Sequence, residues 1–310
     1  MGMLDVPLPD GRRLEVLTGG DPAGPPLLFH YGTPSAACPF APLDEAVRRH
    51  GLRLIGYSRP GYGGSTPRLS DARDPRLTAD VEDVVALLDH LGIDEFVTMG
   101  WSGGGSRALA CAALLGGRCL GAVDLAGLAP YDADGLDWFT GMDADEREEW
   151  REARAGDDAF AARLRPEAEA FRDITGEQVL TRFGDRGCAA DRAALTLEYA
   201  DWVAATFRGA VRQGVGGYVR DNMTEVRPWG FDPAAVAVPV IVWHGREDRN
   251  VPIAHGEWLA ATIPTAVAHL GDDGHFSWLP QLDALLDELV ELSGVSPMRY
   301  PPDAVAPGSG

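Results

Sequence analysis

"MGWSGGGSRA", Met99 to Ala108, sets four glycines around Ser102, between an apolar run and an alanine-rich run. Inside it "GWSGG" (100–104) has the form G-x-S-x-G. The preceding "DEFVTMG" (94–100) reads as a strand and the residues from about Gly103 as a helix, so the serine falls on a strand-to-helix turn. A turn of that kind holds a strained backbone. Small residues at Gly100 and Gly104 let strand and helix approach without opposing Cβ atoms, and the helix that follows aims its positive end at the serine. No role for Gly105 can be read from the sequence. The rival reading, a glycine-rich phosphate cradle, lacks both a lysine and the G-x-G-x-x-G spacing.

A serine hydroxyl attacks only if a base takes its proton and a carboxylate orients that base. Asp248 in "WHGREDRNVP" (243–252) follows the apolar run 238–245, and His275 in "GDDGHFSWLP" (271–280) follows the run 265–270. Asp124 is a reserve for the acid. The other histidines have plainer readings: His50 and His90 at helix ends, His255 and His269 in helix and strand text, His30 and His244 as packing near strand ends. Oxyanion donors are expected from the amides of Gly103, next to the serine, and Thr33 in "HYGTPSA" (30–36).

The 310 residues are 45% hydrophobic and 24% charged, the composition of a folded globular protein. A net charge of −20 argues against nucleic-acid and anionic-membrane partners. All 27 basic residues are Arg, which removes lysine Schiff bases, a phosphate-loop lysine and a Ser-Lys dyad. The seven His form no H-E-x-x-H and the four Cys no C-x-x-C, so no metal or cofactor is expected and the thiols are read as reduced. The amino terminus lacks a signal-peptide pattern and no apolar run is long enough to span a bilayer, so the expected compartment is the cytoplasm.

Apolar runs at 13–18, 26–31, 52–57, 94–100, 120–127, 238–245 and 265–270 read as buried parallel strands. They alternate with helical text such as "LTADVEDVVALLDHL" (77–91), stopped by Gly92. The pattern fails between about Pro130 and Pro228, where helical, charge-rich text includes a start at Asp143 and one continuous run over 191–211. The expected organisation is a first core segment at 1–129, a helical cap at 130–229, a second core segment at 230–296 and a flexible tail at 297–310.

Taken together, "FHYGTPSA", "GYSRPGYGGS" (56–65), "MGWSGGG", "VWHGREDRNVP" and "GDDGHFSW" resemble the α/β-hydrolase family, in particular its capped proline iminopeptidase-like and esterase-like serine hydrolases. The resemblance implies an α/β fold with a mostly parallel sheet flanked by helices and an inserted helical cap. It implies Ser102 as nucleophile, Asp248 as acid, His275 as base, and the amides of Thr33 and Gly103 as oxyanion hole. Two positions depart from the family pattern: Tyr31 stands where a histidine is usual, and Ser58 where an aspartate is usual.

The reaction so implied is cleavage of a small, fairly apolar ester, lactone or amide through an acyl-enzyme. The substrate is a small molecule, and the oligomeric state, a homodimer included, stays open. Tyr31, Trp101, Trp138, Phe139 and Phe276 are candidate pocket aromatics, with Trp278 nearby. One alternative is an aminopeptidase whose cap acids, Glu198 among them, hold a substrate ammonium. Another is a non-hydrolytic member of the fold: a lyase, a cofactor-free oxygenase or a ligand receptor.

Overall fold

The computed structural model describes residues 1–296 except 71–73, 157 and 185–186; the expected tail at 297–310 lies outside the described residues. Eight strands form one sheet: β1 (Gly2–Pro7), β2 (Arg13–Gly20), β3 (Pro26–His30), β4 (Arg53–Tyr57), β5 (Phe96–Trp101), β6 (Cys119–Leu125), β7 (Val240–Gly245) and β8 (Ala266–Gly271). Their spatial order is β1-β2-β4-β3-β5-β6-β7-β8. From β4 to β8 all neighbours run parallel.

Three expectations about the strands need correction. The run at 13–18 is antiparallel to both its neighbours, β1 and β4. Strand β1 escapes a reading by apolar runs because five of its six residues are exposed. Strand β8 closes the other edge and is only half-buried, since nothing pairs beyond it among the described residues.

The helices of the core are α1 (Ala41–Arg49), α2 (Leu77–His90) and α3 (Gly105–Leu114). Helix α2 buries Val81, Val84, Leu87 and Leu88 and ends at Gly92, whose φ of +64° suits a residue without Cβ. Between β6 and β7 the described residues form helices and no strand: α4 (Ala144–Ala155), α5 (Asp158–Phe171), α6 (Gly176–Gly184), α7 (Ala189–Ala194), α8 (Leu197–Ala210) and α9 (Gly216–Glu225). Helix α4 opens on a capping box, with Asp143 accepting from the Glu146 amide and Glu146 from the Asp143 amide. The run 191–211 is not one helix. Thr196 adopts an extended backbone and its hydroxyl accepts from the Tyr199 N–H, so α7 stops and α8 starts afresh. Helices α10 (Ile253–Thr262) and α11 (Leu282–Ser293) complete the fold.

Candidate active site

Strand β5 delivers Ser102 onto a turn with φ +55°, one of two positive-φ residues other than glycine among those described. The turn depends on absent side chains. A Cβ at Gly100 would overlap the Gly104 carbonyl, and one at Gly104 would overlap the carbonyl of His30 on the neighbouring strand. Gly103 lies against Thr33, so the two residues expected to supply amides sit side by side. Its N–H also belongs to the first helical turn, where amides have no partner within the helix. Gly105, without an assignable role in the sequence, makes room for Asp124: a Cβ there would overlap the aspartate carboxyl.

Ser102, His275, Thr33 and Gly103 line one cavity of about 170 Å³. Asp248 lies behind it. The His275 Nδ1–H donates to Asp248 Oδ2 at 2.8 Å, and Asp248 Oδ1 accepts from the Asn250 and Val251 amides, each at 2.8 Å. Burial works against the imidazolium of His275, but the Asp248 charge, its hydrogen bond and the more distant Asp191 charge outweigh that, holding His275 above the ordinary imidazole range. Burial also works against the Asp248 carboxylate; His275, His244 and the loop amides reverse it and keep this carboxyl below the usual range.

The reserve acid, Asp124, is elsewhere. It sits on β6 between Gly105 and Gly127, and burial pushes it up to about 7 against the pull of the Gly127 amide. The remaining histidines are held away from the cavity. His255 accepts the Ala129 N–H and donates to the Trp138 carbonyl, His244 donates to the Val251 carbonyl, and His269 pairs with Glu288 at the surface. Burial, with Arg59 and Arg107 nearby, pushes His30 down to about 3, so it is a neutral packing group.

Of the expected pocket aromatics, Trp101 and Phe276 line the cavity. The Trp101 indole N–H donates to the His275 carbonyl at 3.0 Å and its ring lies 5.5 Å from the imidazole, so it also buttresses His275. Tyr31, Trp138 and Phe139 do not line it. Tyr31 packs into the core against Phe29 and Trp202. Trp138 donates to the Ala129 carbonyl and packs on His255, and Phe139 lies partly exposed under Arg151. Glu198 borders a separate depression with Glu45 and Asp283.

What the sequence reading missed comes mainly from the insertion. Trp150, Phe183, Phe207 and Tyr218 complete the apolar wall, and Glu149, Asn222 and Glu225 bring polar groups into it. Beneath this wall lies a buried ionic cluster of three arginines and three carboxylates. Arg59 grips Asp221 of α9 at 2.6 Å and donates to the carbonyls of Tyr31 and Gly32 at 2.5 and 2.7 Å. Thr33 Oγ1 donates to the same Asp221 at 3.0 Å. Arg107 donates to the Gly103 carbonyl at 2.8 Å, to Asp80 at 3.0 Å and to Glu225, and Arg220 joins Asp80 at 2.8 Å. Both loops that flank Ser102 are thereby tied to α9. The only sequence trace is the acidic pair Asp221 and Glu225 at i, i+4, which reads equally as a solvated face.

Cavity and cluster sit on the carboxyl ends of the parallel strands, where open α/β sheets bind ligands. The family model described as the alpha/beta hydrolase fold matches residues 25–280. The chain belongs to that family. Among its hydrolase-fold relatives, a non-heme haloperoxidase from Rhodococcus erythropolis is 23% identical over 245 residues, 78% of this chain and 81% of that one. A proline iminopeptidase from Xanthomonas citri is 34% identical over 97 residues, 30% of this chain and 29% of that one. The solved structure of a thermophilic esterase from Thermogutta terrifontis superposes with a TM-score of 0.66 at 21% identity, covering 94% of this chain and 97% of that one, a likeness of fold. No helix among the described residues is long and apolar enough to cross a membrane.

Proposed function

We propose that this chain is a serine hydrolase that cleaves a small, fairly apolar carboxylic ester, lactone or amide through an acyl-enzyme, with the insertion at 130–229 acting as cap over the site. One observation carries the reading: a serine on a positive-φ turn shares a cavity with a histidine whose far nitrogen is bonded to a buried carboxylate. With its proton on Nδ1, His275 keeps Nε2 as the free base. As Ser102 Oγ bonds to the acyl carbon, its proton passes to Nε2, and the carbonyl oxygen takes up the electron pair and is met by the Thr33 and Gly103 amides. Collapse expels the leaving group, which takes the proton from His275. Water then repeats the sequence to release the acid.

The test is turnover of p-nitrophenyl acetate and butyrate with fluorophosphonate labelling. Ser102→Ala should lose the label and about 10⁴-fold or more in kcat. Full turnover by that variant would end the proposal.

The iminopeptidase-like alternative gains from one observation. Two carboxylates, Glu149 and the Arg107-paired Glu225, line the cavity, and no arginine does among the described residues. Burial, with Glu167 close by, pushes Glu149 up to about 7 against the pull of Arg163. A substrate ammonium would need Glu149 ionised, so on this reading KM for amino-acid anilides falls as pH rises through about 7 while KM for acyl esters stays flat. Equal pH profiles for both substrate types would exclude it.

A further inference from the structure

Helix α7 sends one more carboxylate into the loop that carries His275. Asp191 is 3% exposed, and its Oδ2 accepts the His275 N–H at 3.1 Å while Oδ1 accepts the Phe276 N–H at 2.7 Å. The chain has no lysine, and Asp191 makes no ion pair among the described residues. The two amides fall on separate oxygens, an arrangement that an amide side chain, with one oxygen and one NH₂ group, cannot reproduce, so the carboxylate is matched to this loop and carries its negative charge to the backbone of His275.

Gly274 supplies an independent observation. Its φ lies outside the positive region, so no left-handed backbone calls for glycine there. The three atoms nearest to a Cβ built there are all from the Asp191 carboxyl group, Oδ1 at 2.6 Å being the farthest. The position is bare because the carboxylate fills it.

We infer that Asp191 is a positioning residue for the base: it locks the backbone at 274–276 so that the imidazole stays between Asp248 and Ser102, and it sets a second negative charge behind the imidazolium that forms when Ser102 yields its proton. This rests on the Ser-His-Asp reading above. The insertion thereby contributes to the base as well as to the pocket. The groups facing His275 are Asp248 and His244 from the end of β7, Asp191 from α7, and Glu149 and Glu225 across the cavity from α4 and α9; Asp273 lies on its own loop. Asp191 is the one bonded to the His275 main chain.

The experiment is an NMR titration of the His275 imidazole in wild type, Asp191→Asn and Gly274→Ala, alongside pH profiles of kcat/KM and thermal melts. Removing the negative charge should lower the His275 pKa by on the order of half to one unit. The acid limb of kcat/KM should move down by the same amount, with kcat about tenfold lower and KM within about twofold. Gly274→Ala, which displaces the carboxylate without deleting it, should act in the same direction, and the double variant should be no worse than either single one. An unchanged His275 titration, or a loss of rate that only tracks loss of folded protein, overturns the inference; should Asp191→Asn fail to fold, Gly274→Ala decides. Failure of the triad reading shows separately, as turnover that survives Ser102→Ala, and the imidazole titration still reads Asp191 in that case.

Discussion

The two walls of the cavity are built by different means. On the sheet side, Ser102, Gly103 and His275 sit on short loops after β5 and β8, and Ser102 is placed by local backbone geometry, a φ of +55°. On the insertion side, α7 and α9 are held by side-chain contacts to residues far away in the chain: Asp221 with Arg59, Glu225 with Arg107, and Asp191 with the His275 amide. Backbone geometry leaves a signature of small residues over five or six positions. Pairing across more than eighty residues leaves none in a single sequence.

The largest effect expected from breaking the contrast is Ser102→Ala, whose loss of about 10⁴-fold or more in kcat should come with an unchanged urea midpoint, because the sheet-side wall separates chemistry from stability. Asp221→Ala should do the reverse first. It strips Arg59 and Thr33 of a partner that is itself fully buried, and should cost about 3–5 kcal/mol in urea unfolding. Replacing Arg59 and Asp221 together by Met and Leu sharpens the point: stability should return to within about 1–2 kcal/mol while kcat stays about tenfold low, since the Tyr31 and Gly32 carbonyls lose the guanidinium that orders the loop proposed to hold the oxyanion. Stability restored together with full kcat would mean the cluster serves folding alone.

A smaller effect follows from acid. Burial opposes the Asp80 carboxylate, but Arg220, Arg107 and Arg59 hold it down to about 2. A depressed carboxyl stabilises the fold above its unfolded value near 4 and loses that contribution as pH falls through its folded value. The melting temperature should therefore decline between about pH 4 and about pH 2, and Asp80→Asn should flatten that part of the curve.

The same contrast explains what could be read in advance. The serine turn, Asp248 and His275 were legible because each follows an apolar run of strand length, and the α4 start because a capping box is a local pattern. Strand β1 was not, since an exposed edge strand carries no apolar run. The break at Thr196 was hidden by apolar residues that keep helical spacing across it. Tyr31, Trp138 and Phe139 stand near site residues in sequence, yet the direction of a side chain at a strand end or in a loop is decided by what packs around it. Gly105 and Gly274 became intelligible only with Asp124 and Asp191 in view.

The buried cluster of Arg59, Arg107, Arg220, Asp80, Asp221 and Glu225 also bears on descent. Any single replacement leaves a charge stranded in the interior, so lineages can pass between such clusters only through paired changes on distant segments. Helix α9 and the loop at Arg59 should diverge slowly and together. The free walls of the cavity, at Trp150, Phe183 and Phe207, carry no such debt and are where new specificities can arise one substitution at a time.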